Sequence, residues 1–195
     1  MVEERTDEQL MERVRAGDVD AFGRLVERHH QRALNFAFRM TGDREMSRDI
    51  AQESFLRIMK AAPRYEPRAR FTTFLYTVVR NLVAETVRRP HHRSEVSSDD
   101  ISHGASNESA FSPSPETPDV SLERTELRER LLRALESLPK DLREAFVLTE
   151  IEGLRYREAA DICGCPEGTV ASRKHHAVEH LREILEPFRQ GDATE

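Results

Sequence analysis

Cations interleaved with flat rings and one amide are the residues in this chain best placed to act on a ligand. Between Ser54 and Arg93 there are nine basic residues (Arg57, Lys60, Arg64, Arg68, Arg70, Arg80, Arg88, Arg89 and Arg93) against two acids, Glu66 and Glu85. Tyr65, Phe71, Phe74, Tyr76 and Asn81 lie among them. Basic groups neutralise phosphates, flat surfaces hold unstacked bases, and an amide can pair with a base edge through its donor and acceptor together. Core packing claims part of this set: Phe71, Phe74, Leu75, Val78 and Leu82 share one helical stripe, so Phe71 and Phe74 read as interior. Tyr65, between Pro63 and Pro67, and Asn81, a polar residue beside the stripe, are the better base-contact candidates. Further on, Thr169, Ser172, Arg173, His175 and His176 fall on one helical face. Short polar, guanidinium and imidazole groups on such a face suit a nucleic-acid groove.

Other chemistries find little support. Cys163 and Cys165 lie one residue apart, an implausible disulfide, which points to a reducing cytosol. With His175 or His176 they match no standard zinc spacing, so no metal is expected. His29-His30, His91-His92 and His175-His176 are adjacent pairs aimed at different faces, and the chain has no Gly-rich phosphate loop and no H-E-x-x-H. Neither an enzyme nor a cofactor is expected. No apolar run approaches a membrane span, and the acidic stretch Met1–Asp7 is no signal peptide. The net charge of −6 argues against nucleic acid, but its distribution argues for it. The basic segment is followed by Val96–Glu126, with seven acids against Arg124 alone.

The elements that must position these groups are helices. Asp7 can cap a helix bearing Leu10, Met11 and Val14; Asp18 or Asp20 opens a longer one ending at Thr41-Gly42; a third starts near Asp43 and runs to Pro63; a fourth carries Phe71 to Val83 and ends before Pro90. Residues 91–122 are rich in Ser, Asp, Glu and Pro and read as a flexible linker. Helices resume near Glu123, with Leu127, Leu131, Leu135 and Leu138 on one stripe, and Pro139 restarts a helix through Leu142, Phe146, Val147 and Ile151. From Glu152 to Leu185 a short helix with small apolar residues (Ala159, Ala160, Ile162, Cys163) precedes a corner at Gly164. There Gly164 suits the left-handed terminal position and Pro166 the first position of the next helix. Val170, Ala177, Leu181 and Ile184 then mark one buried face. This is the pattern of a helix-turn-helix, whose second helix enters the major groove. The fold class is all-α, in two small helical domains: an N-terminal bundle over 1–90 and a helix-turn-helix domain over 123–189.

The run G-C-P-E-G-T-V-A-S-R, with the preceding L-P-K-D-L-R-E-A-F-V-L-T-E-I-E-G-L-R-Y-R-E-A-A, resembles the C-terminal domain of extracytoplasmic-function sigma factors. Arg155, Ala159, Ala171, Lys174 and His176 depart from that pattern, with His176 at the place of an arginine. The N-terminal half independently resembles the same family. D-E-Q-L-M-E-R-V-R-A-G-D-V-D-A-F-G-R-L-V-E-R-H-H is similar to the opening of the promoter-melting domain. G-D-R-E-M-S-R-D-I-A-Q-E-S-F-L-R is similar to its polymerase-binding helix, and F-T-T-F-L-Y-T-V-V-R-N-L to its minus-ten element.

The resemblance implies a factor that binds core RNA polymerase, recognises two promoter elements and helps melt DNA. It implies that Asp49, Gln52, Glu53 and Leu56 meet the polymerase clamp helices, with part of the Leu138–Ile151 region against the flap. It implies that Ala61, Tyr65, Val78 and Asn81 line a pocket for a flipped base, and that Arg68, Arg70, Arg80 and Arg88 hold phosphates. Thr169, Ser172, Arg173, His175 and His176 would read the minus-thirty-five element. An inhibitory anti-sigma protein is a further expected partner. The alternative from the residues themselves is a stand-alone helix-turn-helix regulator, which would need dimer symmetry and high DNA affinity of its own.

Overall fold

The computed structural model describes residues 5–66, 69–88 and 130–191. Helix α1 (Asp7–Arg15) is capped by Thr6 rather than Asp7. The Thr6 hydroxyl accepts from the Gln9 amide, and the Gln9 side chain accepts from the Thr6 amide at 2.9 Å. Asp7 is thereby freed for tertiary contacts, accepting from Arg28 at 3.0 Å and facing His29 Nε2 at 2.7 Å. Helix α2 (Val19–Thr41) opens on Asp18, whose carboxylate takes the Ala21 amide, and stops at Gly42 with φ 73°. Helix α3 (Arg44–Ala61) is capped by Asp43 and runs into a 3₁₀ turn at Ala62–Arg64, where Pro63 lacks the amide needed to continue. Helix α4 (Phe71–Arg88) completes a bundle in which α2 packs on α1, α3 and α4. Its core holds Leu25, Phe36, Ile58, Phe71, Leu75, Tyr76 and Val79, all but closed to solvent.

The C-terminal domain begins, among the described residues, with helix α5 (130–137). It continues through α6 (Lys140–Phe146), a π turn at Val147–Ile151, α7 (Tyr156–Cys163) and α8 (Glu167–Gly191). In the π turn the Glu152 amide reaches back five residues to the Val147 carbonyl, at 2.9 Å. Ala134, Leu135, Leu138, Ala177 and Leu181 form a small core between α5 and α8. The expected stripes are narrower than their leucine and isoleucine spacing suggests: Leu131 and Ile184 are each 36% exposed, at the edges of the small core between α5 and α8. Leu127 lies outside the described residues. No strand occurs among the described residues.

The two domains touch. The main buried cluster runs without a break from the bundle into Ala145, Val147, Leu148, Ala159, Ala160, Ile162, Cys163 and Val170 of the C-terminal domain. Helix α4 packs on α7, and α2 on α6. At this junction Arg39 donates to Glu152 at 2.9 Å, the Tyr76 hydroxyl donates to the other Glu152 oxygen, and Arg143 donates to the Met40 carbonyl near the end of α2 at 3.3 Å.

Candidate nucleic-acid interface

The helix-turn-helix corner is built from backbone chemistry. Glu158 in the first turn of α7 accepts from the Arg155 amide at 2.9 Å, supplying half of a reciprocal cap where Arg155 itself has no acceptor to give. Gly164 takes φ 65° and donates to the Ala160 carbonyl, closing α7. Pro166 stands just before α8 instead of inside it, and its carbonyl receives the Thr169 amide at 2.9 Å. Val170 and Ala177 are fully buried, which turns the opposite face of α8 outward. On that face Ser172, His175 and His176 are exposed, while Thr169 and Arg173 are half-buried.

The basic side chains of this part of α8 already have acidic neighbours. Arg173 donates to Asp141 Oδ2 at 2.6 Å and points a second nitrogen at Cys165 Sγ, 3.7 Å away. Lys174 meets Glu150 at 3.0 Å, and this carboxylate raises its pKa through a hydrogen bond and through charge. His175 and His176 both approach Glu179, at 3.4 and 3.2 Å. The outer face of α8 therefore carries basic side chains that are oriented by acids yet remain near the surface.

In the bundle, a cleft of about 970 Å³ opens between the end of α3, the 3₁₀ turn and α4. Of the residues expected around a base, Ala61 and Tyr65 line it, whereas Val78 and Asn81 do not. Its α4 wall is formed instead by Thr73, Phe74 and Thr77, about one turn nearer the helix start. Tyr65 differs from expectation in being 8% exposed, with its ring 5.5 Å from that of Phe74 and its hydroxyl buried without a hydrogen-bond partner. Burial, with the charges of Glu8, Asp7 and Glu12, pushes the pKa of this phenol up, so it stays a neutral wall. Phe71 is interior as expected, while Phe74 is only partly buried and reaches the cleft. Asn81 is exposed, on the outward stripe of α4 that also carries Arg88. Lys60 and Arg64 supply positive charge at the cleft itself. Arg68 lies outside the described residues.

Arg70 and Arg80 face a different neighbour. Arg80 Nε donates to Glu144 at 2.6 Å, and a second nitrogen reaches the Cys163 carbonyl at 3.3 Å. Burial opposes the Arg80 charge, but the charge and hydrogen bond of Glu144 together outweigh it and raise the pKa. Arg70 lies 3.4 Å from Glu158. Glu144, Glu152 and Glu158 were not legible as partners, because in sequence they look like the solvated faces of short helices.

On α3, Asp49, Gln52 and Leu56 are exposed in one row, with Met59 continuing it. Glu53 is turned partly aside by Arg57, which it meets at 3.0 Å and which also clasps Glu85 with two hydrogen bonds of 2.9 Å. An exposed acidic and amide row with Leu56 and Met59 each 44% exposed is suited to another protein. It is unsuited to DNA.

The architecture is that of an all-helical protein in which a four-helix bundle packs on a helix-turn-helix domain. The sigma-70 region 2 model matches residues 25–93 and the sigma-70 region 4 model matches residues 128–181. An ECF RNA polymerase sigma-E factor from Salmonella typhimurium strain 14028s is 36% identical over 195 residues, covering 96% of this chain and 98% of its own. The solved structure of CnrH in complex with the cytosolic domain of CnrY is 25% identical with a TM-score of 0.68, covering 94% of this chain and 99% of that one. The sigma factor RpoE of Bartonella quintana, solved with the anti-sigma factor NepR, shares the fold at 24% identity and a TM-score of 0.64, covering 85% of this chain and 96% of that one. The chain belongs to the extracytoplasmic-function family of RNA polymerase sigma factors. As such it directs promoter-specific initiation by RNA polymerase.

Proposed function

We propose that the three surfaces divide the work of initiation. The Asp49, Gln52, Leu56 row of α3, with Glu53 at its side, docks on core polymerase. The cleft between α3 and α4 receives an unstacked base against Tyr65 and Phe74, while Asn81, Arg70, Arg80 and Arg88 follow the strand along α4. The outer face of α8 reads the minus-thirty-five element through Ser172, Arg173, His175 and His176, with Thr169 near a phosphate at the helix start. The observation that carries this reading is the separation of an exposed, mixed polar and apolar protein-type face on α3 from the basic faces of α4 and α8. Bond making belongs to the polymerase, and this chain supplies recognition in the cytoplasm. An anti-sigma protein is its proposed inhibitor, as NepR is a partner of the Bartonella factor.

Glu53→Lys tests the assignment. It should abolish polymerase pull-down and promoter-specific transcription while circular dichroism stays unchanged, because the side chain is 41% exposed. Normal transcription by a folded Glu53→Lys chain would remove α3 from the docking surface.

A further inference from the structure

We propose that Glu179 sets what His176 reads: by taking the proton on Nδ1 of the ring, it leaves Nε2 as a bare acceptor that selects an adenine or cytosine amino group in the minus-thirty-five element. This rests on the assignment of His176 to the reading face of α8.

Glu179 stands three residues beyond His176 on α8, a spacing at which helical side chains meet. Its Oε2 is 3.2 Å from His176 Nδ1, and its other oxygen lies 3.4 Å from His175 Nε2. The carboxylate is thus flanked by both rings, whose centroids are 5.8 Å apart. His176 and Glu179 also share a shallow recess with Leu142 of α6, so the ring rests against a neighbouring helix instead of turning in open solvent. An ionised carboxylate only accepts, so a neutral His176 must keep its single ring proton on Nδ1 to make this bond. The tautomer of an imidazole is set in this way by the hydrogen bond that one nitrogen makes. Nε2 is then unprotonated, on a side chain that is exposed.

Fixing that proton restricts the code. In the major groove adenine N6 and cytosine N4 donate, whereas guanine O6 and N7 and thymine O4 accept. A ring free to exchange tautomers can meet either kind of edge. With Glu179 in place, guanine or thymine would confront the bare Nε2 with another acceptor, and meeting them with a proton on Nε2 requires the Glu179 bond to break. Glu179 touches no base, so it is a positioning residue. Its charge has a separate effect, repulsion of phosphates, which weakens binding to every sequence alike.

The test uses the full chain assembled with core polymerase at pH 8, above the region near 6.5 where imidazoles ordinarily titrate. Transcription from a promoter library randomised in the minus-thirty-five element is read for wild type, His176→Ala, Glu179→Gln and Glu183→Gln. His176→Ala marks the base that His176 contacts. There the wild type should favour adenine or cytosine over guanine or thymine on one strand by about fivefold, and Glu179→Gln should cut this to about twofold or less. Glu183→Gln removes the same charge from an exposed position further along α8 and should leave the preference unchanged. Heteronuclear NMR of the free full chain gives a second readout. The His176 proton should reside on Nδ1 in the wild type and shift toward Nε2 in Glu179→Gln. A wild-type ring protonated at Nε2, or a preference at the marked base that survives Glu179→Gln, would overturn the proposal. If His176→Ala changes no position, the surface assignment falls with it, whereas a marked base untouched by Glu179→Gln refutes the role of Glu179 alone.

Discussion

At the scale of single residues, the junction places ionisable groups where water is scarce. Burial, with the charge of Glu144 and then of Cys165, pushes the Cys163 thiol up to about 12. A thiol reagent at pH 8 should therefore label Cys165 and spare Cys163 in the folded chain, and label both in denaturant. Labelling of both at equal rates without denaturant would place Cys163 in solvent. The same shift gives a pH dependence. Above pH 9 the unfolded chain loses this proton first, so the folded state binds more protons and stability falls as pH rises. The loss is about 1.4 kcal/mol per pH unit at most between pH 9 and 12, and a Cys163→Ala chain should lack that component in denaturant melts. Single residues were the hardest to read from sequence. Tyr65, flanked by two prolines, looked like an open loop residue, but its ring is covered by Phe74. Asn81 fell beside the apolar stripe as expected, yet the cleft lies a turn earlier, at Thr73 and Thr77. Threonine hydroxyls on a helix usually bond a preceding carbonyl, as Thr77 does to Thr73 at 2.7 Å, so their residue type gave no sign of a cleft.

At the scale of elements, punctuation was informative. Of the two starts the sequence offers for α2, Asp18 and Asp20, it is Asp18 that caps; α3 starts on Asp43 as expected, and Gly42 and Gly164 end helices with positive φ. Gly164→Ala would meet no neighbouring atom, so its whole cost lies in the left-handed backbone, about 1–2 kcal/mol. A denaturant melt should show that loss; an unchanged melt would mean that the corner relaxes to another turn. The cap of α1 was misread by one residue because Thr6 and Asp7 are both good caps and only the Gln9 side chain decides between them. The π turn at Val147–Ile151 was not legible at all, since V-L-T-E-I has the spacing of an ordinary helix continued. Its extra residue turns Glu152 toward Arg39 and Tyr76, a tertiary gain that local pattern cannot encode.

At the scale of the molecule, the two helical domains were visible as separate compositions, but their contact was not. Arg80 and Glu144 are 64 residues apart, and each alone reads as a solvated charge. Because one buried cluster spans both domains, calorimetry of the wild-type chain should show a single unfolding transition, and Glu144→Gln/Glu158→Gln should split it in two. Two transitions already in the wild type would mean that the shared cluster does not couple the domains. The net charge of −6 in a protein that must hold DNA acquires a meaning here. Chromosomal DNA offers on the order of a million or more competing non-specific sites, and a permanently bare arginine face would scatter the factor among them. In this structure Arg80 is held by Glu144 and Arg70 lies beside Glu158, so fewer bare cations are offered to such sites. A chain of net negative charge whose cations are already paired is held off bulk DNA at a distance, which leaves selection to the few contacts a promoter supplies.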